Sequence, residues 1–122
     1  MKKILLALFA TAMLSAGIFA AETSPKTVIH VITAKWKPNT TPAQIDEVLA
    51  AAAAMPAQYA GITRVWTRPI KMQIPEGYDH IIVMEFASEA ALKDYVDSAA
   101  QKKFYEVYIP IRETSRTSDI TN

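Results

Sequence analysis

The chain is organised around one stretch, Gly77-Tyr78-Asp79-His80-Ile81-Ile82-Val83-Met84-Glu85-Phe86. Residues 78–86 are mostly β-branched or aromatic, which favours a strand. Apolar side chains alternate onto both faces of this strand, so both faces need a cover. Ser88 then caps a helix whose apolar stripe, which includes Leu92 and Tyr95, can lie back on the strand. One helix covers one face only, so a second covering layer is expected.

The first twenty residues are typical of a cleaved export signal. Two lysines form a basic start, and residues 4–14 form an apolar run. That run is shorter than the roughly 18 residues of a membrane span, which disfavours an uncleaved anchor. Small residues end the segment, so we expect cleavage after Ala20, with Gly17 or Ala21 as alternatives.

Cleavage there divides the chain into a signal peptide at 1–20, a polar tail at 21–26 and one folded domain at 27–122. We expect a periplasmic or secreted protein with no membrane span after cleavage. Two of the 13 Lys and Arg residues lie in the signal. The mature chain therefore has 11 basic and 12 acidic residues, and its net charge is −1 instead of +1. No basic stripe remains for nucleic acid. The absence of cysteine excludes disulfides, thiolate metal sites and lipid anchoring through cysteine.

Hydrophobic periodicity over the remaining residues predicts the order β-α-β-β-α-β. The expected elements are strands at 27–36, 62–68, 78–86 and 112–120 and helices at 42–55 and 89–96, with a further helical turn or two at 102–109. This order is typical of the ferredoxin-like α+β fold, a four-stranded antiparallel sheet with both helices on one face. The other face needs a second sheet, so we expect a homodimer. We assign that dimer face to Val28, Ile32, Trp36, Ile82, Met84 and Phe86.

Five short motifs carry a family resemblance. They are Val-Ile-His-Val-Ile at 28–32, Thr-Pro-Ala-Gln-Ile at 41–45, Met-Pro at 55–56, the stretch at 77–86 and Leu-Lys-Asp-Tyr-Val at 92–96. Together they resemble the stress-responsive dimeric α/β-barrel (Dabb) family over residues 27–120. The resemblance implies a stress-response protein in which two ferredoxin-like sheets pack face to face as a dimeric α/β barrel.

The resemblance also implies a cavity between sheet and helices. In a plant polyketide cyclase of the family, a helix tyrosine and a histidine six residues later perform the chemistry. The tyrosine matches Tyr95, but Gln101 occupies the histidine position and cannot exchange a proton near neutral pH. No catalytic residue is therefore assigned. The ligand-pocket candidates are His30, Ile32, His80, Ile82, Tyr95, Gln101 and Phe104.

These candidates favour binding over catalysis. His30 and His80 have no third ligand at metal-binding spacing, so we expect no metal and no cofactor. We expect the two histidines to line a pocket or to have a structural role. Trp36 and Trp66 suit packing better than stacking on a planar ligand. The sequence predicts a protein that binds a small apolar or aromatic ligand, and it establishes no catalytic activity. The alternative is an enzyme that uses His30, His80 and Tyr95, either a polyketide-cyclase-like lyase or a cofactor-independent monooxygenase.

Overall fold

The computed structural model describes residues 26–122, and the predicted export signal lies outside them. The strands are β1 (Val28–Trp36), β2 (Ile62–Trp66), β3 (His80–Phe86) and β4 (Arg112–Thr121). The helices are α1 (Pro42–Ala53), α2 (Met55–Gln58), α3 (Glu89–Tyr95) and α4 (Ala99–Tyr108). Within the described residues, no helix is long and apolar enough to cross a membrane.

The four strands form one antiparallel sheet in the order β2-β3-β1-β4. The two most apolar strands, β1 and β3, therefore lie at its centre. Side chains of α1, α2, α3 and α4 join one hydrophobic core on a single face of this sheet. The predicted ferredoxin-like α+β fold is confirmed.

Helix starts follow the capping residues. The Thr41 hydroxyl accepts the backbone N–H of Gln44, and the Gln44 side chain accepts the N–H of Thr41 in return, which completes a capping box. The Ser88 hydroxyl accepts the Ala91 N–H at 3.0 Å and begins α3 in the same way. These two starts agree with the sequence prediction.

A corner between α3 and α4 differs from the prediction. Asp97 adopts a positive φ of 64°, which a continuing helix does not allow. The Ser98 hydroxyl then accepts the Gln101 N–H at 3.1 Å, so α4 begins at Ala99 instead of residue 102. Val96 lies in this corner and is 55% exposed, although the sequence predicted it as the last residue of the helix at 89–96.

The predicted dimer face is wrong, because its residues form the core of one protomer. Ile82, Met84 and Phe86 have no exposed surface, and they join one cluster with Val48 of α1 and Phe104 of α4. The same cluster contains the β1 residues of the predicted face, which are Val28, Ile32 and Trp36. The helices thus cover the sheet face that we expected to be free.

The face without helices carries the alternate residues of the same strands. Val31 of β1 lies opposite Val83 of β3, and Trp66 of β2 pairs with Val83 on its other side. Ile29 and Ile81 extend this face along the two central strands, and all four aliphatic side chains are half-buried. Trp66 is 42% exposed. We call Ile29, Val31, Trp66, Ile81 and Val83 the free face.

Candidate functional site

A cavity of about 270 Å³ lies between the sheet and the α3–α4 pair. Its floor is formed by His30 and Ile32 of β1. Its wall is formed by aromatic side chains of the helices, chiefly Tyr95, Phe104 and Tyr108. Its remaining edge is formed by polar residues of β4, which are Arg112, Ser115 and Thr117.

Five of the seven candidate residues line this one cavity. They are His30, Ile32, Tyr95, Gln101 and Phe104. Ile82 does not line the cavity, because it lies fully buried in the core. His80 does not line it either, and instead contacts Trp36 at the other end of the sheet. The structure therefore does not bring His30 and His80 together in one pocket, although the sequence proposed both as pocket candidates.

A larger and more open groove of about 560 Å³ lies beside the cavity, between α3 and the end of β4. Its lining includes Glu89, Lys93 and Asp119, together with aliphatic side chains, but no aromatic residue. The cavity is the better candidate site because aromatic rings and a histidine converge there, whereas the groove is an open surface.

His30 is held by a carboxylate. Its Nδ1 lies 2.5 Å from Oδ1 of Asp119, which is its partner in the β1–β4 register. An ionised carboxylate only accepts, so the imidazole donates from Nδ1 and, when neutral, keeps its lone pair on Nε2. The ring edge packs against Phe86 with centroids 6.0 Å apart. Asp119 fixes both the tautomer and the orientation of His30.

His80 has a structural role. The indole N–H of Trp36 donates to Nδ1 of His80 at 2.7 Å, and the ring centroids are 5.5 Å apart. This bond satisfies the polar atom of a tryptophan that is otherwise buried. His80 therefore carries its proton on Nε2 when neutral. The sequence left His80 open between a pocket-lining and a structural role, and this contact is a structural one.

Tyr95 presents a neutral hydroxyl. Burial raises its pKa above the ordinary tyrosine value, and the neighbouring Tyr105 raises it further. Its ring packs between Tyr59 and Phe86, with centroids at 5.6 and 5.2 Å. Tyr95 is therefore a rigid hydrogen-bond donor at neutral pH, and it is poorly suited to act as a phenolate base.

Gln101 is engaged in local structure. Its Oε1 accepts the backbone N–H of Asp97 at 2.7 Å, and its Nε2 donates to the Tyr105 hydroxyl at 3.3 Å. The side chain thus ties the α3–α4 corner to the first turns of α4. It lines the cavity while both ends of its amide are already paired.

Sequence reasoning missed five contributors on or near β4, namely Tyr108, Arg112, Ser115, Thr117 and Asp119. The signal for Asp119 was its alternation with Ser115 and Thr117, which places the three on one strand face. Tyr108 stacks on Phe104 at 5.1 Å, at the expected helical spacing of four residues. Between residues 26 and 122, no group of three or more His, Cys, Asp or Glu could hold a metal ion.

The comparison with protein families matches residues 28–122 to the stress-responsive A/B barrel domain, Dabb. The chain belongs to the Dabb family. The resemblance predicted from the sequence motifs is therefore confirmed. None of the curated proteins compared with this Dabb chain matches it in sequence.

Solved structures share the Dabb fold at low identity. Hydroxynitrile lyase from Passiflora edulis has a TM-score of 0.71 at 16% identity, covering 81% of this chain and 95% of that one. A Dabb protein with a ferredoxin-like fold from Mesorhizobium loti has a TM-score of 0.64 at 22% identity, with coverages of 80% and 97%. A dimeric ferredoxin-like protein of unknown function from Thermobifida fusca has a TM-score of 0.67 at 16% identity, with coverages of 80% and 92%. At these identities the likeness concerns the fold.

Proposed function

We propose that this Dabb protein is an exported homodimer that binds a small aromatic ligand between β1 and the α3–α4 pair. The observation that carries the proposal is the partly enclosed cavity, whose helix side is mainly aromatic and whose β4 side is polar. Such a composition is typical of small-molecule sites. A volume of about 270 Å³ suits one or two fused rings.

The aromatic wall supports a planar ligand. Phe104 and Tyr108 stack nearly parallel, at an interplanar angle of 19°, and Tyr105 lies beside them. Offset or edge contacts between such rings and a ligand ring contribute about 0.5–1.5 kcal/mol beyond area burial. The Tyr95 hydroxyl supplies a donor for one ligand oxygen.

The free face supports a homodimer. It brings together four half-buried aliphatic side chains and the exposed indole of Trp66, a continuous apolar patch that water would otherwise cover. Solved relatives with this fold are dimeric. Two such faces packed together would form the barrel for which the family is named.

Export and a part in stress response complete the proposal. Export is supported by residues 1–20, in which a basic start is followed by an apolar run and then by small residues. The role in stress response is supported by the name of the family alone. The intact mass of periplasmic protein checks export, and the expected species begins near Ala21. A full-length species confined to the membrane fraction would contradict export.

Ligand binding is tested with 2-naphthol as a fluorescent probe. Thr117→Trp places a large ring in the cavity from an exposed strand position and should weaken binding by more than about tenfold. Lys102→Trp adds the same ring at an exposed α4 position outside the cavity and should bind as the wild type does. Equal weak binding by all three proteins would reject the cavity as the ligand site.

A second candidate function, acid–base catalysis, is favoured by the His30–Asp119 pair. A neutral imidazole oriented by a carboxylate is the arrangement of a general base. In a reaction like that of hydroxynitrile lyase, His30 Nε2 would take the hydroxyl proton of a cyanohydrin. Cyanide would leave with the carbon–carbon bonding pair, and a carbonyl would form. Tyr95 would donate a hydrogen bond to the reacting oxygen.

This candidate is tested by the release of benzaldehyde from mandelonitrile. If His30 is a base, His30→Ala should abolish turnover and Asp119→Asn should lower it by at least about a hundredfold. Asp94→Asn, at an exposed α3 position, is the matched control and should change nothing. We expect no wild-type turnover above background. Robust turnover lost in both variants would replace the binding function with an enzymatic one.

A further inference from the structure

The cavity has two chemically different sides. The helix side is aromatic, whereas the β4 side carries Arg112, Ser115 and Thr117. Arg112 is the one permanently charged side chain among the described residues that line the cavity. A ligand that fills the cavity must therefore present an apolar body to the helices and polar atoms to β4.

Arg112 has no acidic partner among residues 26–122. Its guanidinium lies over the ring of Tyr108, with Cζ 5.4 Å from the ring centroid. The acidic side chains on the same strand are engaged elsewhere, since Asp119 contacts His30 and Glu113 contacts Lys35 at 3.3 Å. The cation is thus half-buried, held in orientation by the aromatic face, and unneutralised.

Tyr108 adds a second unsatisfied group to the same wall. Its side chain is 2% exposed, and its hydroxyl is buried without a hydrogen-bond partner among the described residues. A buried hydroxyl without a partner is unusual in native structures. Among the described residues, the Arg112 guanidinium pairs with no carboxylate and the Tyr108 hydroxyl has no hydrogen-bond partner, and both groups can donate a hydrogen bond.

We infer that the cavity selects an aromatic carboxylate, with the ring against Phe104 and Tyr108 and the carboxylate on Arg112. The inference rests on the proposed ligand-binding function and names the class of ligand. A guanidinium presents parallel N–H groups that match the two oxygens of a carboxylate. Ser115 and Thr117 supply hydroxyls for further oxygen substituents along the β4 edge.

The experiment compares two probes of nearly equal shape, 2-naphthoate and 2-naphthalenemethanol, by calorimetric titration at neutral pH. Wild-type protein should bind the acid at least about tenfold more tightly than the alcohol, and salt should weaken only the binding of the acid. Arg112→Gln should remove this preference while changing the affinity for the alcohol by less than about twofold. Arg112→Lys keeps the positive charge but lacks the two parallel N–H groups of the guanidinium, so it should retain part of the preference for the acid.

Arg68→Gln is the matched control, because it removes one exposed arginine outside the cavity. Circular dichroism verifies that each variant is folded. If Arg112→Gln does not fold, Arg112→Lys replaces it in the comparison. If the alcohol binds as tightly as the acid, or Arg112→Gln weakens both equally, the carboxylate inference is overturned while ligand binding stands. If neither probe binds the wild type, both the inference and the proposed cavity function are rejected.

Discussion

Two adjacent residues of β3, Ile82 and Val83, should respond in opposite ways to the same substitution. Ile82 has no exposed surface and faces the helices, whereas Val83 is half-buried on the free face. Lysine at residue 82 should therefore prevent folding of the protomer. Lysine at residue 83 should leave the protomer folded and weaken the proposed dimer.

The magnitudes differ because the surroundings differ. Ile82→Lys loses about 1.5–3 kcal/mol of apolar burial and adds several kcal/mol for an unpaired buried charge. That sum approaches the whole stability of a domain, about 5–15 kcal/mol. Val83→Lys costs the protomer little, because the lysine stem can lie along the sheet with its ammonium group in water.

The cost of Val83→Lys falls on the dimer, where a twofold interface contains the substitution twice. Losing about 1.5 kcal/mol of burial at each copy weakens the dimer by about 3 kcal/mol, which raises its Kd about a hundredfold. Any penalty for desolvating the two ammonium groups would increase that effect.

Sedimentation velocity with circular dichroism separates these outcomes. Val83→Lys should give a folded monomer, Ile82→Lys an unfolded or aggregated chain, and Ala57→Lys, exposed on α2, a folded dimer like the wild type. A dimer of unchanged affinity in Val83→Lys would refute the assignment of the free face as the interface. A folded Ile82→Lys would refute the assignment of the core.

The remaining predictions concern two tyrosines of the cavity wall. Tyr108→Phe removes a buried hydroxyl without a partner. In urea titrations, the free energy of unfolding of the ligand-free protein should therefore stay the same or rise by up to about 1 kcal/mol. A clear loss of stability would mean that the hydroxyl is satisfied. Burial raises the pKa of Tyr95 in the folded state, whereas the unfolded chain ionises near the ordinary value of about 10. The unfolded state therefore releases its proton first, so stability falls as pH rises above about 10, and Tyr95→Phe should make that fall shallower. Identical slopes would contradict a buried neutral phenol.

The element order could be predicted because its signals are local. Thr41 and Ser88 cap helices, and strand alternation needs only neighbouring residues. The choice of covered face could not be predicted, because β1 and β3 are apolar on both sides. Ile29 and Val31 looked no less suited to the core than Val28 and Ile32. Only packing against the helices distinguishes the two sets.

The candidate site could likewise be predicted only where its signals are local. His30, Tyr95 and Phe104 were found because family motifs and helical spacing mark them. The contact of His30 with Asp119 depends on the β1–β4 register, which joins residues 89 positions apart and leaves no local trace. His80 was misplaced for a similar reason, since strand alternation gives the face of a residue but not its position along the sheet.

The corner at Asp97 separates the two helices that wall the cavity. Tyr95 belongs to the helix before the corner, and Phe104 and Tyr108 belong to the helix after it, which the Gln101 side chain fastens to the Asp97 backbone. Insertions or deletions in residues 96–98 would therefore shift one set of rings against the other without disturbing the strand register. The size of the cavity can therefore change through a three-residue corner while the sheet stays constant.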